Sequence, residues 1–335
     1  MSAIIAVAWG ILLLNFVSAS QVKFGGGSDN GRAGAEPLQV VTLAVNNEPI
    51  HRIMALHQSL IQATFATGTP FALRVMCTPA VSRAARLLFS RLGLGIIDLP
   101  PSPRHKNYRP AHEKWADLLS KLELWRIPSA PGKKIIYADA DVMFFRDPSW
   151  LLDVPSDGLV AERDEYMCQS VPRYYFNSGL MVLTPDDFVY RTMWRLLDEI
   201  GPVTNGDQAI VNLFFIPVTR NYADYLPSDV VAMVPFMCDC DKAPYRYDNL
   251  TAMHCTGFSY DLQLSPNALP DNNKLMRIAK CRDHCASIWR AFYWTAVRRL
   301  RTSLEPNDRR VLGGLFSFGE MGDVEYNYSS IKYYW

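Results

Sequence analysis

The sequence predicts an α/β fold built on a mainly parallel β-sheet flanked by helices. Three strand-length segments, 38–45, 71–77 and 95–99, are rich in apolar and β-branched residues. Between them, segments 53–61 and 82–92 carry apolar residues at helical spacing. Strands that alternate with helices in this way lie parallel in one sheet, because each helix returns the chain to the same edge.

The overall composition is that of a folded protein with nearly balanced charge. The 335 residues are 49% hydrophobic and 20% charged, which fits one large domain with appendages. The 34 basic and 33 acidic side chains give a net charge of +1. Because nucleic acid binding needs concentrated positive charge, we expect no nucleic acid partner.

The first 37 residues predict export. Residues 1–20 hold an apolar run followed by small residues, which favours a cleaved signal peptide and leaves a retained signal-anchor open. Residues 21–37 are Gly-rich and predict a flexible stem. Glycosylation sequons at Asn249 and Asn327 fit the same interpretation. We therefore expect a protein of the secretory pathway lumen, in the Golgi or ER, or a secreted one.

The cysteines predict disulfide bonding. Seven are present, at positions 77, 168, 238, 240, 255, 281 and 285. In an oxidising compartment we expect one or two structural disulfides, whose pairing the sequence leaves open. The spacings of these pairs, C-x-C at 238–240 and C-x3-C at 281–285, differ from the C-x2-C pairs of typical zinc sites.

Two carboxylates, Asp139 and Asp141, interrupt an apolar stretch that runs through 135–138 and resumes at 142–145. Carboxylates in such a setting call for a cation, either an arginine, a lysine or a metal. In an extended chain both side chains would share one face and could bind the same ion. A solvated strand end explains the pair equally well at this point.

The segments on either side of this pair supply polar residues at the ends of predicted elements. A basic, proline-rich loop covers 100–110, and a helix over 112–125 is predicted to leave Lys121 to one side of its apolar stripe. A strand over 175–183 contains Gly179, which would let a ligand approach the backbone.

Three further polar residues stand at predicted element ends. Asp164 lies just past a short strand at 158–161, Asp207 stands where it could cap a helix, and His254 ends a strand. Each of them alone is better explained by capping, solvation or packing. Their interest comes from the pair of aspartates.

The order of these pieces resembles glycosyltransferase family 8, the glycogenin-like retaining transferases. The matching positions run from 41 to about 260, two thirds of the chain. They are 41–46, 121–122, 139–141, 176–179, 207–208, Asn212, His254 and Gly257. The resemblance implies a GT-A fold over residues 38–262, in which a Rossmann-like nucleotide-binding half is joined to an acceptor-binding half.

The resemblance also implies a metal and a substrate class. By position, Asp139, Asp141 and His254 match the family's metal ligands, and two carboxylates with one imidazole suit Mn2+. The metal would hold the departing nucleoside diphosphate. The implied partners are a UDP-sugar donor and a glycan, glycoprotein or glycolipid acceptor.

Further site residues are assigned by matching position. The catalytic candidates are Asp164, Asp207, Gln208 and Lys121. The donor-binding candidates are Leu43, Val45, Asn46, Lys121, Asp139, Ala140, Asp141, Asn177, Ser178 and Gly257. Because Gln208 is a poor nucleophile, front-face attack by the acceptor is favoured, with a covalent intermediate on Asp207 or Asp164 left open.

Two departures from the family pattern bear on function. Tyr260 stands where relatives carry a diphosphate-binding lysine, and Pro49 stands where they often carry an aromatic residue. Either a cation of the loop 104–109 replaces the lysine, or diphosphate binding is weaker than in relatives. We predict a Mn2+-dependent retaining glycosyltransferase, with a catalytically degenerate glycan- or nucleotide-binding member as the alternative. A phosphotransferase would need a phosphate-cradling glycine loop, which is absent near Asn46.

Residues 263–335 lie beyond the resemblance and predict a helical, basic and aromatic extension. We favour a helix over 274–301 that packs on the domain and leaves a basic edge in solvent. Contact with a membrane surface or an acidic glycan is the alternative. The membrane is thus expected as a partner only through this helix or an N-terminal anchor, and the oligomeric state stays open.

Overall fold

The computed structural model describes most of the chain between Glu36 and Leu312. The described residues are 36–110, 115–156, 158–164, 175–200, 202–204, 206–218, 223–226, 231–233, 250–255, 273–305, 308 and 312. The predicted signal segment 1–20 and nearly all of the predicted stem lie outside them. Among the helices that are described, none has the length and apolar character needed to cross a bilayer.

The elements alternate as the sequence predicts. The strands are β1 (Leu38–Ala44), β2 (Phe71–Cys77), β3 (Gly95–Asp98), β4 (Ile135–Ala138), β5 (Val142–Phe144), β6 (Leu159–Arg163), β7 (Phe176–Leu183), β8 (Ala223–Tyr225), β9 (Val231–Met233) and β10 (Ala252–His254). The α-helices are α1 (Ile50–Phe65), α2 (Arg83–Arg91), α3 (Asp187–Glu199), α4 (Gly206–Val218) and α5 (Asn273–Ser303). Two 3-10 helices cover Leu118–Arg126 and Ser149–Asp153.

The strands form two sheets. The larger has seven strands in the order β3-β2-β1-β4-β7-β6-β8, and the smaller has three in the order β5-β10-β9. Strands β3, β2, β1 and β4 run parallel, and β7 runs antiparallel to both of its neighbours. The prediction of a mainly parallel α/β sheet is therefore confirmed.

Helices cover both faces of the large sheet. Successive residues of a strand point to opposite faces, so Val40 and Val41 of β1 enter different clusters. The cluster around Val40 includes apolar residues of α1, α2 and α5, whereas that around Val41 includes residues of α3, α4 and the 3-10 helix Leu118–Arg126. All β1 residues except Gln39 are buried, as expected for a central strand of a parallel sheet.

The segment before the aspartate pair differs from its prediction. Helical spacing predicts an α-helix over 112–125, but the chain forms a 3-10 helix over Leu118–Arg126, and residues 111–114 lie outside the described part. Lys121 was expected beside the apolar stripe and is instead buried, with 2% of its surface exposed. The structure places this lysine among carboxylates from two other segments, which spacing within one helix cannot reveal.

The 31-residue helix α5 packs along α1. The rings of Trp289 and Tyr293 are stacked at 5.3 Å and buried. The guanidinium of Arg299 donates a hydrogen bond to Gln58 of α1 at 3.3 Å. Arg298, Arg299 and Arg301 are all exposed, so this end of the helix has an apolar inner face and a basic outer edge.

A disulfide links Cys255, the residue after β10, to Cys285 of α5. The thiol of Cys77 is buried and unbonded to another cysteine. Burial raises the pKa of this thiol to about 11, so Cys77 behaves as a packing residue.

Candidate active site

The aspartate pair lies in a tight turn between β4 and β5. The amide of Asp139 donates a hydrogen bond to the carbonyl oxygen of Gly179 at 2.6 Å, and the amide of Val142 donates to the carbonyl oxygen of Asp139 at 3.0 Å. The first bond ties the pair to β7. Both carboxylates therefore stand at the carboxyl end of β4, where parallel sheets place their ligands.

Pairing in the small sheet brings His254 to the same place. Strand β10 runs antiparallel to β5 with His254 opposite Val142, and the amide of Cys255 donates to the carbonyl oxygen of Asp141 at 3.0 Å. The Nε2 atom of His254 lies 3.3 Å from Oδ1 of Asp141. The pairing of two short strands thus joins residues that are far apart in sequence.

The three predicted metal ligands converge. One ligand atom from each of Asp139, Asp141 and His254 lies within 4.8 Å of the others. Two carboxylates and an imidazole are donors that fit a divalent first-row metal ion, so this set of residues is chemically suited to the metal that the family resemblance implies.

Glu162 of β6 is a fourth member of this cluster that the sequence did not indicate. Its Oε2 lies 2.9 Å from Nδ1 of His254, and the side chains of both residues are 3% exposed. The predicted strand at 158–161 stops one residue short of it. The signal that could have found it is a carboxylate directly following the apolar residues 159–161.

Gly179 provides the space for His254. A Cβ atom at this position would lie 2.1 Å from Cε1 of His254 and 2.7 Å from both ring nitrogens. The sequence predicted that this glycine would let a ligand approach the backbone. The structure shows that the imidazole of His254 occupies the space.

A second cluster is centred on Lys121. Its Nζ lies 3.1 Å from Oδ1 of Asp139 and 3.0 Å from Oδ2 of Asp207. The hydroxyl of Ser178 donates to the same Oδ2 of Asp207 at 2.8 Å. The ammonium of Lys121 thus pairs with two carboxylates of the protein, and Asp207, which was considered as a helix cap, contacts Ser178 of β7.

Gln208 extends this network toward Asp164. Its amide nitrogen donates to Oδ2 of Asp164 at 2.7 Å, and its amide oxygen accepts from the backbone of Ser178 at 3.4 Å. Asn177 accepts from the amide of Gly179 at 2.7 Å. The predicted residues of β6, β7 and α4 are therefore neighbours of one another and of the carboxylate pair.

The charges of the cluster shift its pKa values in opposite directions. Burial alone would lower the pKa of Lys121, but Asp139 and Asp207 outweigh it and raise that pKa above its ordinary value. Burial raises the pKa of Asp139, and Lys121 offsets this only in part. Burial would also raise the pKa of Asp141, but His254 reverses the effect and brings it to about 2. The two aspartates are thus electrostatically unequal.

The same opposition acts on His254. Burial would lower its pKa, but the carboxylates of Glu162 and Asp141 raise it well above the ordinary value. Burial raises the pKa of Glu162, an effect that His254 opposes. A cation at this position is favoured electrostatically, whether it is a proton on the ring or a metal ion beside it.

The remaining predicted residues lie in the following places. Leu43 is buried in the cluster that contains Val41, and Ala140 is buried between the two aspartates. Val45 and Asn46 follow β1, and Asn46 accepts a hydrogen bond from the amide of Glu48 at 2.8 Å. Gly257 and Tyr260 lie outside the described residues.

Two arginines, Arg104 and Arg52, each pair with a carboxylate. Arg104 of the loop 104–109 was a candidate to replace the missing lysine, and it pairs with Asp117 at 3.2 Å. Arg52, in the first turn of α1, was not predicted. It pairs with Glu48 at 2.6 Å, and its charge contributes to lowering the pKa of Asp141.

Comparisons with known protein sequences indicate similarity to sugar transferases. Residues 120–262 match the family described as nucleotide-diphospho-sugar transferase. Galactinol synthase 1 of Ajuga reptans is 25% identical over 215 residues, 56% of this chain and 63% of that protein. Glycogenin of Komagataella phaffii is 35% identical over 86 residues, 25% of this chain and 20% of that protein. The chain thus matches less than two thirds of the length of either relative.

Solved structures show the same fold. The galactosyltransferase LgtC, solved with donor and acceptor sugar analogues, superimposes with a TM-score of 0.52 at 16% identity, covering 74% of this chain and 96% of that one. The glycosyltransferase GlyE of Streptococcus pneumoniae superimposes with a TM-score of 0.51 at 14% identity, covering 85% and 64%.

The fold is that of the GT-A glycosyltransferases. The converging carboxylates and imidazole lie within this fold. The match to the nucleotide-diphospho-sugar transferase family over 120–262, and the similarity to galactinol synthase and glycogenin, agree with the resemblance to glycosyltransferase family 8 predicted from the sequence.

Proposed function

We propose that this protein is a retaining glycosyltransferase that moves a sugar from a UDP-sugar to an external glycan, glycoprotein or glycolipid acceptor, with Mn2+ as cofactor. The observation that carries the proposal is the convergence of Asp139, Asp141 and His254 within 4.8 Å at the carboxyl end of the sheet. The names of the relatives and the matching transferase domain support the reaction class.

The donor set favours Mn2+ over Mg2+, since Mg2+ is seldom coordinated by imidazole. When bound, the metal would supply positive charge that stabilises the departing diphosphate. Asp139, Asp141 and Nε2 of His254 would hold it. Tyr137 donates a hydrogen bond to Asp139, so this ligand is also oriented by the protein.

The network around Gln208 supports front-face attack by the acceptor. A covalent intermediate on Asp207 would need a free carboxylate, yet Oδ2 of Asp207 is paired with Lys121 and bonded to Ser178. Gln208 is held by Asp164 and the backbone of Ser178, and its neutral amide is a poor nucleophile. Lys121 pairs with Asp139 and Asp207 and thereby holds both side chains in place.

We propose that the protein works in the lumen of the secretory pathway. The disulfide between Cys255 and Cys285 supports an oxidising compartment, because such bonds are rare in reducing ones.

The test is a screen of the purified protein against UDP-sugars, with Mn2+ and with EDTA. We expect metal-dependent release of UDP with one donor, and transfer with retention of the anomeric configuration once an acceptor is found. Asp141→Asn should abolish turnover, because it removes a ligand charge with little change in shape. Asp153→Asn, an exposed site at the end of a 3-10 helix, is the matched control and should leave turnover unchanged.

Two results would contradict the proposal. Full activity of Asp141→Asn would reject the metal assignment. Silence of the wild-type protein with every UDP-sugar, together with intact Mn2+ binding, would favour the catalytically degenerate alternative.

A further inference from the structure

We propose that Glu162 is a positioning residue for the metal centre. It fixes the imidazole of His254 by accepting a hydrogen bond from Nδ1–H, so that Nε2 faces the aspartate pair as the coordinating atom. This inference rests on the proposed function in so far as a divalent metal binds there. It assigns a role to a residue that the sequence motifs did not include.

A backbone irregularity directs Glu162 toward the site. Strands β6 and β7 pair in register up to Ala161 and Met181, and the register shifts between Ala161 and Glu162, where Glu162 comes to face Asn177. Such shifts re-aim the side chain that follows them and are common next to active sites. Glu162 of the large sheet contacts His254 of the small sheet directly after this shift.

Burying the carboxylate of Glu162 costs free energy of folding. The residue is 2% exposed, and its second oxygen, Oε1, is buried without a hydrogen-bond partner among the described residues. An ion pair that is this deeply buried is seldom worth more than an apolar pair of the same volume. Stability alone therefore gives a weak reason for a carboxylate here.

The geometry accounts for the carboxylate through the chemistry of imidazole. A neutral histidine donates from one ring nitrogen and accepts at the other, and a partner on one nitrogen selects which one remains available. The contact at Nδ1 is 2.9 Å to Glu162, and Nε2 lies 3.3 Å from Asp141. A carboxylate behind a ligating histidine fixes its tautomer and the orientation of its ring.

Gly179 and Glu162 hold the ring from different directions. The absence of a Cβ at Gly179 leaves space that the ring fills closely, whereas Glu162 contacts the ring through Nδ1. The glycine restricts where the ring can lie, and the glutamate restricts which nitrogen points at Asp141. Removing Glu162 would leave the ring in its place but free the choice of tautomer.

The first experiment measures Mn2+ binding alone, by electron paramagnetic resonance of the free aquo ion, with wild type, Glu162→Gln and Glu162→Leu. We expect Glu162→Leu to weaken binding ~10- to 100-fold, the usual effect of losing such a partner. Glu162→Gln keeps an acceptor for Nδ1–H and should weaken binding by less than about tenfold. Glu123→Gln is the matched control, since it alters a buried carboxylate that is bonded to Tyr190 outside the site, and should bind Mn2+ like wild type.

The second experiment detects the tautomer in the metal-free protein by long-range nitrogen–proton NMR of the His254 ring, recorded at a pH above the raised pKa of His254, where the ring is neutral and carries one proton. We expect a proton on Nδ1 in wild type and in Glu162→Gln, and its loss or exchange between nitrogens in Glu162→Leu. Chemical denaturation of each variant, measured in parallel, should show that Glu162→Leu is folded, so that weaker metal binding is not a consequence of unfolding.

The outcomes separate this inference from the proposed function. Unchanged Mn2+ affinity and an unchanged tautomer in Glu162→Leu would overturn the positioning role and leave the metal site standing. A wild-type protein that fails to bind Mn2+ would overturn the proposed cofactor, whereas the NMR result would still decide whether Glu162 orients the ring. A loss of affinity as large in Glu123→Gln as in Glu162→Leu would also overturn the positioning role.

Discussion

Replacing Gly179 by alanine is expected to damage both stability and metal binding. The added Cβ would meet Cε1 of His254 at 2.1 Å, so either the ring or β7 must move by more than an ångström to restore normal contact. The ring cannot move freely, because it lies 2.9 Å from Glu162 and 3.3 Å from Asp141. Breaking a buried charge pair of this kind costs ~3–5 kcal/mol, and we expect Gly179→Ala to lower the free energy of unfolding by about that amount.

Equilibrium unfolding in urea measures the effect, with Gly158→Ala as the matched control. A Cβ at Gly158 would lie 3.4 Å from Phe215, an ordinary contact, so the free energy of unfolding should change by less than ~0.5 kcal/mol. A double-mutant cycle with His254→Ala sharpens the test, because removing the ring should remove most of the cost of the added methyl group. A Gly179→Ala protein as stable as wild type, with unchanged Mn2+ affinity, would refute the steric reasoning.

Three further predictions concern the surroundings of the site. Lys121→Met should lower the free energy of unfolding by ~3–5 kcal/mol in urea titrations, because it leaves the buried carboxylate of Asp207 without its counter-charge. Burial lowers the pKa of His57 from 6.5 to about 4, so unfolding takes up a proton between these pH values. The contribution of His57 to stability should therefore fall with falling pH across that window, by at most ~1.4 kcal/mol per unit, and His57→Gln should remove this contribution from the pH profile of wild type. Replacing Cys255 and Cys285 by serine removes a disulfide between residues 30 positions apart. The free energy of unfolding should fall by ~3–4 kcal/mol, because the unfolded chain gains conformational entropy.

Each of these predictions has a control and a contrary result. Lys134→Met, a half-buried lysine that bonds only backbone oxygens among its described contacts, should cost less than Lys121→Met, and equal costs would contradict the counter-charge. A pH profile of stability in His57→Gln that equals that of wild type would contradict the role given to His57. For the disulfide, Cys77→Ser tests a buried thiol without a bridge, and a double serine variant as stable as wild type would contradict the entropic estimate.

The strand and helix alternation was predictable because it depends on local patterns. The segments that became β1, α1, β2, α2 and β3 carry apolar residues at the spacing of the element they form, and packing only reinforced that preference. The aspartate pair was also visible, since charge inside an apolar run stands out in any sequence. These features are encoded within a few neighbouring residues.

What escaped prediction depends on contacts between distant segments. Strands β5 and β9 have three residues each, too few to show a period, so the small sheet was not foreseen. Glu162 meets His254 across 92 residues, and the ring, not a ligand, fills the space at Gly179. Lys121 was read as a residue at the side of a helix because its two carboxylate partners come from other elements. Tertiary contacts set these features, and single-sequence patterns do not record them.

The disulfide to α5 shows that the folded unit extends beyond the segment that matches the family. The family match covers 120–262, yet Cys255 within it is bonded to Cys285 outside it. The buried rings of Trp289 and Tyr293 also lie beyond the match. A chimera joined to a relative at residue 262 would keep Asp139, Asp141 and His254 but carry an unpaired thiol one residue from His254. A junction that keeps α5 with its own sheet avoids this.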